Sequence, residues 1–98
     1  MSSYKFDGTY FSDPSGKRLA RVDGDYIQDY ANSKRIAKID GDYVIDYDSS
    51  RRVARLDSGG VEDYSNSRRV GSFDEIKSKI DGYPSHMQTV ALWWYFIR

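Results

Sequence analysis

Residues 26–40 read Tyr26-Ile27-Gln28-Asp29-Tyr30-Ala31-Asn32-Ser33-Lys34-Arg35-Ile36-Ala37-Lys38-Ile39-Asp40, and near-copies follow at 43–57 and 60–74. Aligning Phe6-Asp7, Val22-Asp23, Ile39-Asp40, Leu56-Asp57 and Phe73-Asp74 gives spacings of 16, 17, 17 and 17 residues. Four units are nearly complete between Phe6 and Ser72, and a fifth opens at Phe73 before giving way to a different tail. A period of 17 residues is too short for the common helical repeats. It suits two strands of about five residues and two tight turns. Tyr, Ile and Val cluster, with Gly, Asn, Asp and Ser between the clusters, as strands and turns require. The expected fold is therefore all-β: a radial array of four to five antiparallel hairpins over residues 4–82, then an apolar tail or short helix over 83–98, in a single domain.

Two kinds of turn alternate. Asp23-Gly24 and Asp40-Gly41 mark tight hairpin turns, expected to be type I′ with positive φ at both centres. The other connection is longer: Ala31-Asn32-Ser33-Lys34 in one copy, and Pro14-Ser15-Gly16-Lys17 in the first, where one residue is missing. Strict period-two alternation places Asp29 opposite Arg35, Gln28 opposite Ile36, Ile27 opposite Ala37 and Tyr26 opposite Lys38. One side of the hairpin then carries Ile27, Asp29, Arg35, Ala37 and Ile39, the other Tyr26, Gln28, Tyr30, Ile36 and Lys38. Neither side is purely apolar. Ala20, Ala37, Ala54 and Gly71 share one small-residue slot, expected where neighbouring copies approach closely. One such hairpin cannot bury its apolar side alone, so the copies must close on one another. Closure also protects edge strands.

Composition narrows the function classes. The chain has 98 residues, 15 Lys+Arg against 15 Asp+Glu, and no cysteine. A disulfide scaffold and a cysteine-ligated metal are excluded. Zero net charge gives no global support to counterion-driven nucleic-acid binding. No apolar run follows the N-terminus, so no secretory signal is expected. The longest apolar run, Val90 to Ile97, is far below the roughly 20 residues of a spanning helix. A cytoplasmic protein without cofactors is the expectation.

The phrase at 26–40, repeated at 43–57 and 60–74, resembles the β-flower proteins. Units of the five-fold β-flower family pair an Asp and a turn glycine with a basic residue and a strand glycine, and the chain ends in an aromatic-rich segment. Ala91 to Ile97 is similar to that ending. The family's turn glycine occurs here as Gly16 only, and its second-strand glycine as Gly71 only. Four complete units make a four-fold relative the close alternative. The resemblance implies hairpins arranged radially. It implies no activity, the family having no assigned biochemical function.

Several constellations repeat. Asp13, Asp29, Asp46 and Asp63 recur with Arg18, Arg35, Arg52 and Arg69, which predicts either a ring of structural ion pairs or a charged ring around an ionic ligand. Asp23-Gly24-Asp25 and Asp40-Gly41-Asp42 offer carboxylates to calcium, but a turn needs only the Asp-Gly pair, and a calcium site needs six to eight oxygens. Tyr10, Tyr26 and Tyr43, with Tyr30, Tyr47 and Tyr64, form two columns that would pack across strands or serve as a platform for a glycan or an aromatic cation. His86 is the only histidine. No Gly-x-Ser-x-Gly nucleophile occurs, and repeated carboxylates single out no one site, so no catalytic residue is assigned.

The tail breaks the repeat. Ser85-His86-Met87-Gln88 after Pro84 forms a capping box, predicting a helix from His86 to about Phe96; a strand is the competing reading. Met87, Val90, Ala91 and Trp94 share one stripe, and Leu92, Trp93, Tyr95, Phe96 and Ile97 cover the rest. A helix apolar all round must be buried on most sides. The tail therefore plugs the end of the flower, or it presents Met87, Val90, Trp93, Trp94, Tyr95 and Phe96 to a second copy, another protein or a membrane. The sequence points to a non-catalytic structural or interaction module that self-associates through 87–97, with a glycan- or cation-binding module as the alternative.

Overall fold

A computed structural model describes residues 3–98. Nine strands run as one antiparallel meander: β1 (Tyr4–Phe6), β2 (Tyr10–Ser12), β3 (Arg18–Asp23), β4 (Tyr26–Asp29), β5 (Arg35–Asp40), β6 (Tyr43–Asp46), β7 (Arg51–Asp57), β8 (Gly60–Asp63) and β9 (Arg68–Ser72). A short helix, α1 (Phe73–Ser78), follows where the fifth copy begins, with Asp74 and Glu75 in its first turn suiting the helix dipole. The chain then enters β10 (Ile80–Asp81), which pairs in parallel with β1 through Tyr4–Ile80 and Lys5–Asp81. The result is one ten-stranded sheet whose first and last strands are neighbours. α1 joins β9 to β10 across the remaining arc, so four hairpins and one helical sector make a flat body of 34 × 29 × 18 Å.

Each long turn ends in a β-bulge. Between β4 and β5, Tyr26 faces Lys38 and Ile27 faces Ala37 as alternation requires, but Gln28 faces Arg35. Ile36 is the extra residue. The same shift recurs between β2 and β3, β6 and β7, and β8 and β9, making Leu19, Val53 and Val70 the extra residues there. A bulge sets two residues of one strand against one of its partner, which corrects the strict alternation expected above. Ile36 joins the apolar side and Arg35 moves to the tyrosine side. The faces are thereby sorted. Phe11, Ile27, Val44 and Val61 stand opposite Ala20, Ala37, Ala54 and Gly71, and all but Gly71 are fully buried.

The tight turns are corrected as well. Their loops are Gly24-Asp25 and Gly41-Asp42, with φ of +59° and +60° at the glycines and no positive φ at the aspartates. That sign pattern is type II′. Among the described residues, Ser58-Gly59, with φ of +51° and +79°, is the one tight turn with the I′ pattern.

The core is completed by the tail. α2 (His86–Leu92) starts at the expected capping box: the Ser85 hydroxyl accepts from the Gln88 N–H at 3.2 Å, and Gln88 Oε1 accepts from the Ser85 N–H at 2.9 Å. The helix continues as a π-helical turn over Trp93–Ile97. Val90, Ala91 and Leu92 are fully buried, and Met87, Thr89 and Trp93 nearly so. The small-residue slot makes room for this helix rather than for a neighbouring copy. A Cβ on Gly71 would lie 3.2 Å from Ile76 Cδ1 and 3.3 Å from the Trp93 ring. Polar contacts fix the helix to successive hairpins. Gln88 Nε2 donates to the Gly24 carbonyl at 3.1 Å, and the Tyr95 hydroxyl donates to Asp46 at 3.1 Å. Arg98 reaches Asp63 at 4.0 Å. Among the described residues, no helix is long and apolar enough to cross a membrane.

Candidate functional site

The bulges determine what the outward face of the sheet carries. With Arg18, Arg35 and Arg52 turned away from the helix, each guanidinium comes to rest on a tyrosine of the preceding strand. The carbon-to-centroid distances are 4.0 Å for Arg18–Tyr10, 4.0 Å for Arg35–Tyr26 and 4.1 Å for Arg52–Tyr43. A tyrosine of the next repeat closes each group edge-on: Tyr30 on Tyr10 at 5.7 Å, Tyr47 on Tyr26 at 6.1 Å and Tyr64 on Tyr43 at 5.6 Å. The two tyrosine columns are therefore brought together, one from each of two adjacent copies. The Tyr30 hydroxyl beside Arg18, and that of Tyr64 beside Arg52, hold these guanidinium groups still more firmly protonated.

The fourth copy departs from this arrangement. Gly60 stands where the others have Tyr10, Tyr26 and Tyr43, and the Arg69 guanidinium occupies the space that a Cβ of Gly60 would need.

The expected ring of Asp–Arg ion pairs is not formed. Among the described residues, the ion pairs are Arg55–Glu62 at 3.9 Å and Arg98–Asp63 at 4.0 Å. Arginine and aspartate lie on opposite faces because the bulge falls between them. The aspartates serve their own turns instead. Asp13 Oδ1 accepts from the Ser15 N–H and hydroxyl at 2.9 and 2.6 Å and from the Lys17 N–H at 3.0 Å. The Ser49 hydroxyl donates to Asp46 at 2.8 Å, and the Ser65 hydroxyl to Asp63 at 2.7 Å. These serine hydroxyls hold Asp13, Asp46 and Asp63 below the usual carboxylate value. Asp29 caps through its backbone, its carbonyl accepting from the Ser33 N–H at 2.8 Å.

Between the groups lie grooves. One of about 530 Å³ is lined by Tyr10, Arg21, Gln28, Asp29, Tyr30 and Ser33. Another of about 430 Å³ is lined by Tyr26, Lys38, Ile45, Asp46, Tyr47 and Ser50, the same positions one repeat on. The sequence places Gln28 and Lys38 on the tyrosine side, but it singles out neither them nor Arg21 as site residues. Their signal was present: Arg21, Lys38 and Arg55 form a basic column as regular as the tyrosines. Tyr30, Tyr47 and Tyr64 remain 45%, 43% and 43% exposed, and Arg18, Arg21, Arg35, Lys38 and Arg52 on the same face are exposed as well.

The proposed interface residues of the tail fare differently. Met87, Val90 and Trp93 are buried within the sheet, because the curled array leaves a helix-sized hollow that they fill. Trp94, Tyr95 and Phe96 are half-buried against the same core. Burial, reinforced by Asp46, raises the Tyr95 hydroxyl above its ordinary range. His86 packs edge-on against Phe73 at 4.9 Å. The Asp-Gly-Asp segments are tight turns, and among the described residues no three carboxylates or imidazoles gather around a common point. No family model, curated protein or solved structure matches the chain.

Proposed function

We propose that this chain is a non-catalytic interaction module whose working surface is the tyrosine–arginine face of the sheet. The observation that carries the reading is the threefold recurrence of one arrangement, Arg18 on Tyr10 with Tyr30, Arg35 on Tyr26 with Tyr47, and Arg52 on Tyr43 with Tyr64. Tyrosine and arginine are the side chains that dominate binding energy at protein interfaces. Equivalent grooves repeated along a sheet suit an extended partner touching several copies at once, and no copy is distinguished as a reaction centre would be. The hairpin array closed by α1 supports the likeness to the β-flower proteins. The reading includes a cytoplasmic home, supported by the cysteine-free composition.

A glycan ligand is the second reading, favoured by the pairing of tyrosine with Gln28 and Arg21 in one groove. An aromatic cation is disfavoured, since an arginine already covers a face of Tyr10, Tyr26 and Tyr43.

Random-peptide display against the whole chain tests the module. Enriched peptides should lose binding at least tenfold to a Tyr30→Ala, Tyr47→Ala, Tyr64→Ala variant that keeps its circular dichroism. Peptides indifferent to those substitutions, or no enrichment at all, would remove the reading. A glycan array read with the same variant decides the alternative.

A further inference from the structure

We infer that the tyrosine–arginine face takes an extended polypeptide bearing spaced carboxylates. This rests on the interaction reading above and names the partner's chemistry.

The first observation is an excess of cations on one face of a neutral chain. The ladder runs Asp23–Tyr26–Lys38–Ile45–Arg52 across one set of strands and Tyr10–Arg21–Gln28–Arg35 across another. Directly paired residues share a face, so these cations stand together on the side away from the helix. The aspartates at 13, 46 and 63 are engaged by their turn hydroxyls. Among the described residues, none of Arg18, Arg21, Arg35, Lys38 and Arg52 has an ion-pair partner.

The second observation is preorganisation. Three of these guanidinium groups already sit about one ring thickness from a tyrosine, at 4.0, 4.0 and 4.1 Å. A guanidinium held over a ring keeps its N–H donors in its own plane, and those not directed at the Tyr30 and Tyr64 hydroxyls can meet a carboxylate two at a time. Less side-chain freedom is then lost on binding.

The third observation selects among anions. Arg18, Arg35 and Arg52 lie on β3, β5 and β7, alternate strands of the sheet, so neighbouring members are at least about 10 Å apart. Asp23 heads the first of these ladders, and Asp40 and Glu62 stand in the next, Asp40–Tyr43–Arg55–Glu62–Arg69, on the same face. A phosphate backbone, charged at every nucleotide, would meet these carboxylates. A polypeptide can set its acidic residues where the arginines are and leave neutral ones opposite the aspartates.

The test is fluorescence anisotropy with the full chain and three labelled probes: a peptide of about seven Ser-Gly-Glu repeats (at about 3.3 Å per residue, long enough to cross several strands about 4.8 Å apart), its Ser-Gly-Gln counterpart, and an oligothymidylate. The glutamate peptide should bind at least tenfold more tightly than either of the others. Binding should fall at least tenfold in an Arg18→Gln, Arg35→Gln, Arg52→Gln variant. The Arg→Lys variant at the same three positions, which keeps charge without the fork, should lie between. Equal binding of the glutamine peptide, tighter binding of the oligonucleotide, no binding of the glutamate peptide, or full binding by the glutamine variant each overturns the inference. Fluorescence of Trp93 and Trp94, both packed on the core, reports whether the variants remain folded, and should one unfold, Arg35→Gln alone is titrated instead, with undiminished affinity again counting against the inference. Display-selected neutral peptides that still depend on Tyr30, Tyr47 and Tyr64 would overturn this inference and leave the module standing.

Discussion

The guanidinium carbon of Arg35 lies 4.0 Å from the ring centroid of Tyr26, although the two residues do not face each other in the ladder: Arg35 pairs with Gln28, and Tyr26 with Lys38. The contact is diagonal and exists because Ile36 is the extra residue of the bulge. A double-mutant cycle over Arg35→Gln and Tyr26→Leu, read by urea unfolding, should give a coupling of about 0.5–1 kcal/mol, the range of an exposed cation–π pair. A coupling within error of zero would show proximity without attraction.

Ser33, Ser50 and Ser67 adopt φ of +59°, +57° and +58°, and Gly16 holds the same place in the first copy. A left-handed conformation costs a non-glycine residue roughly 1–2 kcal/mol, partly offset by the greater unfolded freedom of glycine. Replacing all three serines by glycine should raise the melting temperature. Ser50→Val, with its branched Cβ, should lower it. Thermal unfolding followed by circular dichroism compares the two.

Two glycines should respond in opposite ways to enlargement. Gly71 abuts Ile76 and Trp93 in the core, so Gly71→Val should destabilise by about 1–3 kcal/mol through overpacking. The three atoms nearest a Cβ on Gly60 all belong to the far end of the Arg69 side chain, which is flexible and exposed. Gly60→Tyr should therefore be tolerated, with Arg69 moving onto the new ring as Arg52 does on Tyr43. Chemical denaturation of both variants would settle the contrast, and equal losses would contradict it.

The pH profile should bend at both ends. Asp7, Asp13, Asp46 and Asp63 titrate below their ordinary value of 3.8 in the folded chain, Asp7 through the N–H groups of Tyr10 and Thr9, the others through serine hydroxyls. A depressed carboxylate contributes stability above the ordinary value and loses it as pH falls through the lower folded value. Melting temperature should hold down to about pH 4 and decline below it.

Tyr95 acts in the opposite sense, since burial and Asp46 raise its hydroxyl above the ordinary 10.0. Its contribution is complete below pH 10 and is lost at higher pH, first as the unfolded chain ionises and then through the folded value. Tyr95→Phe should cost about 1–3 kcal/mol at neutral pH, as expected for a hydrogen bond to a charged group, and should flatten the alkaline limb. A wild-type alkaline limb unchanged by the substitution would argue against this role.

Much of the architecture was legible because the repeat states it several times. The hairpins, the turn positions, the capping box at Ser85 and Gln88 and the helix from His86 all follow from local chemistry. The side-chain faces were not legible past the bulge, since one extra residue reverses every assignment beyond it. The signal lay in the doublets Leu19-Ala20, Ile36-Ala37, Val53-Ala54 and Val70-Gly71: two neighbouring apolar or small residues, where alternation allows one, mark the place where a strand turns the same face twice. The burial of Met87, Val90 and Trp93 was beyond local reading for another reason. It depends on the width of the hollow that four hairpins leave, a property of the assembled sheet.

That hollow has a consequence for how the molecule comes into being. Gln88 meets the carbonyl of Gly24 across 64 residues, and Tyr95 meets Asp46 across 49. On a ribosome the hairpins are made first, and the residues that seat inside them come later. Until the tail clears the exit tunnel, the lining from Ile27 to Val61 is wet and the hairpins have only each other. Collapse around the helix is therefore deferred until residues 86–97 have been made, and a nascent chain stalled before them would be a loose ribbon of hairpins.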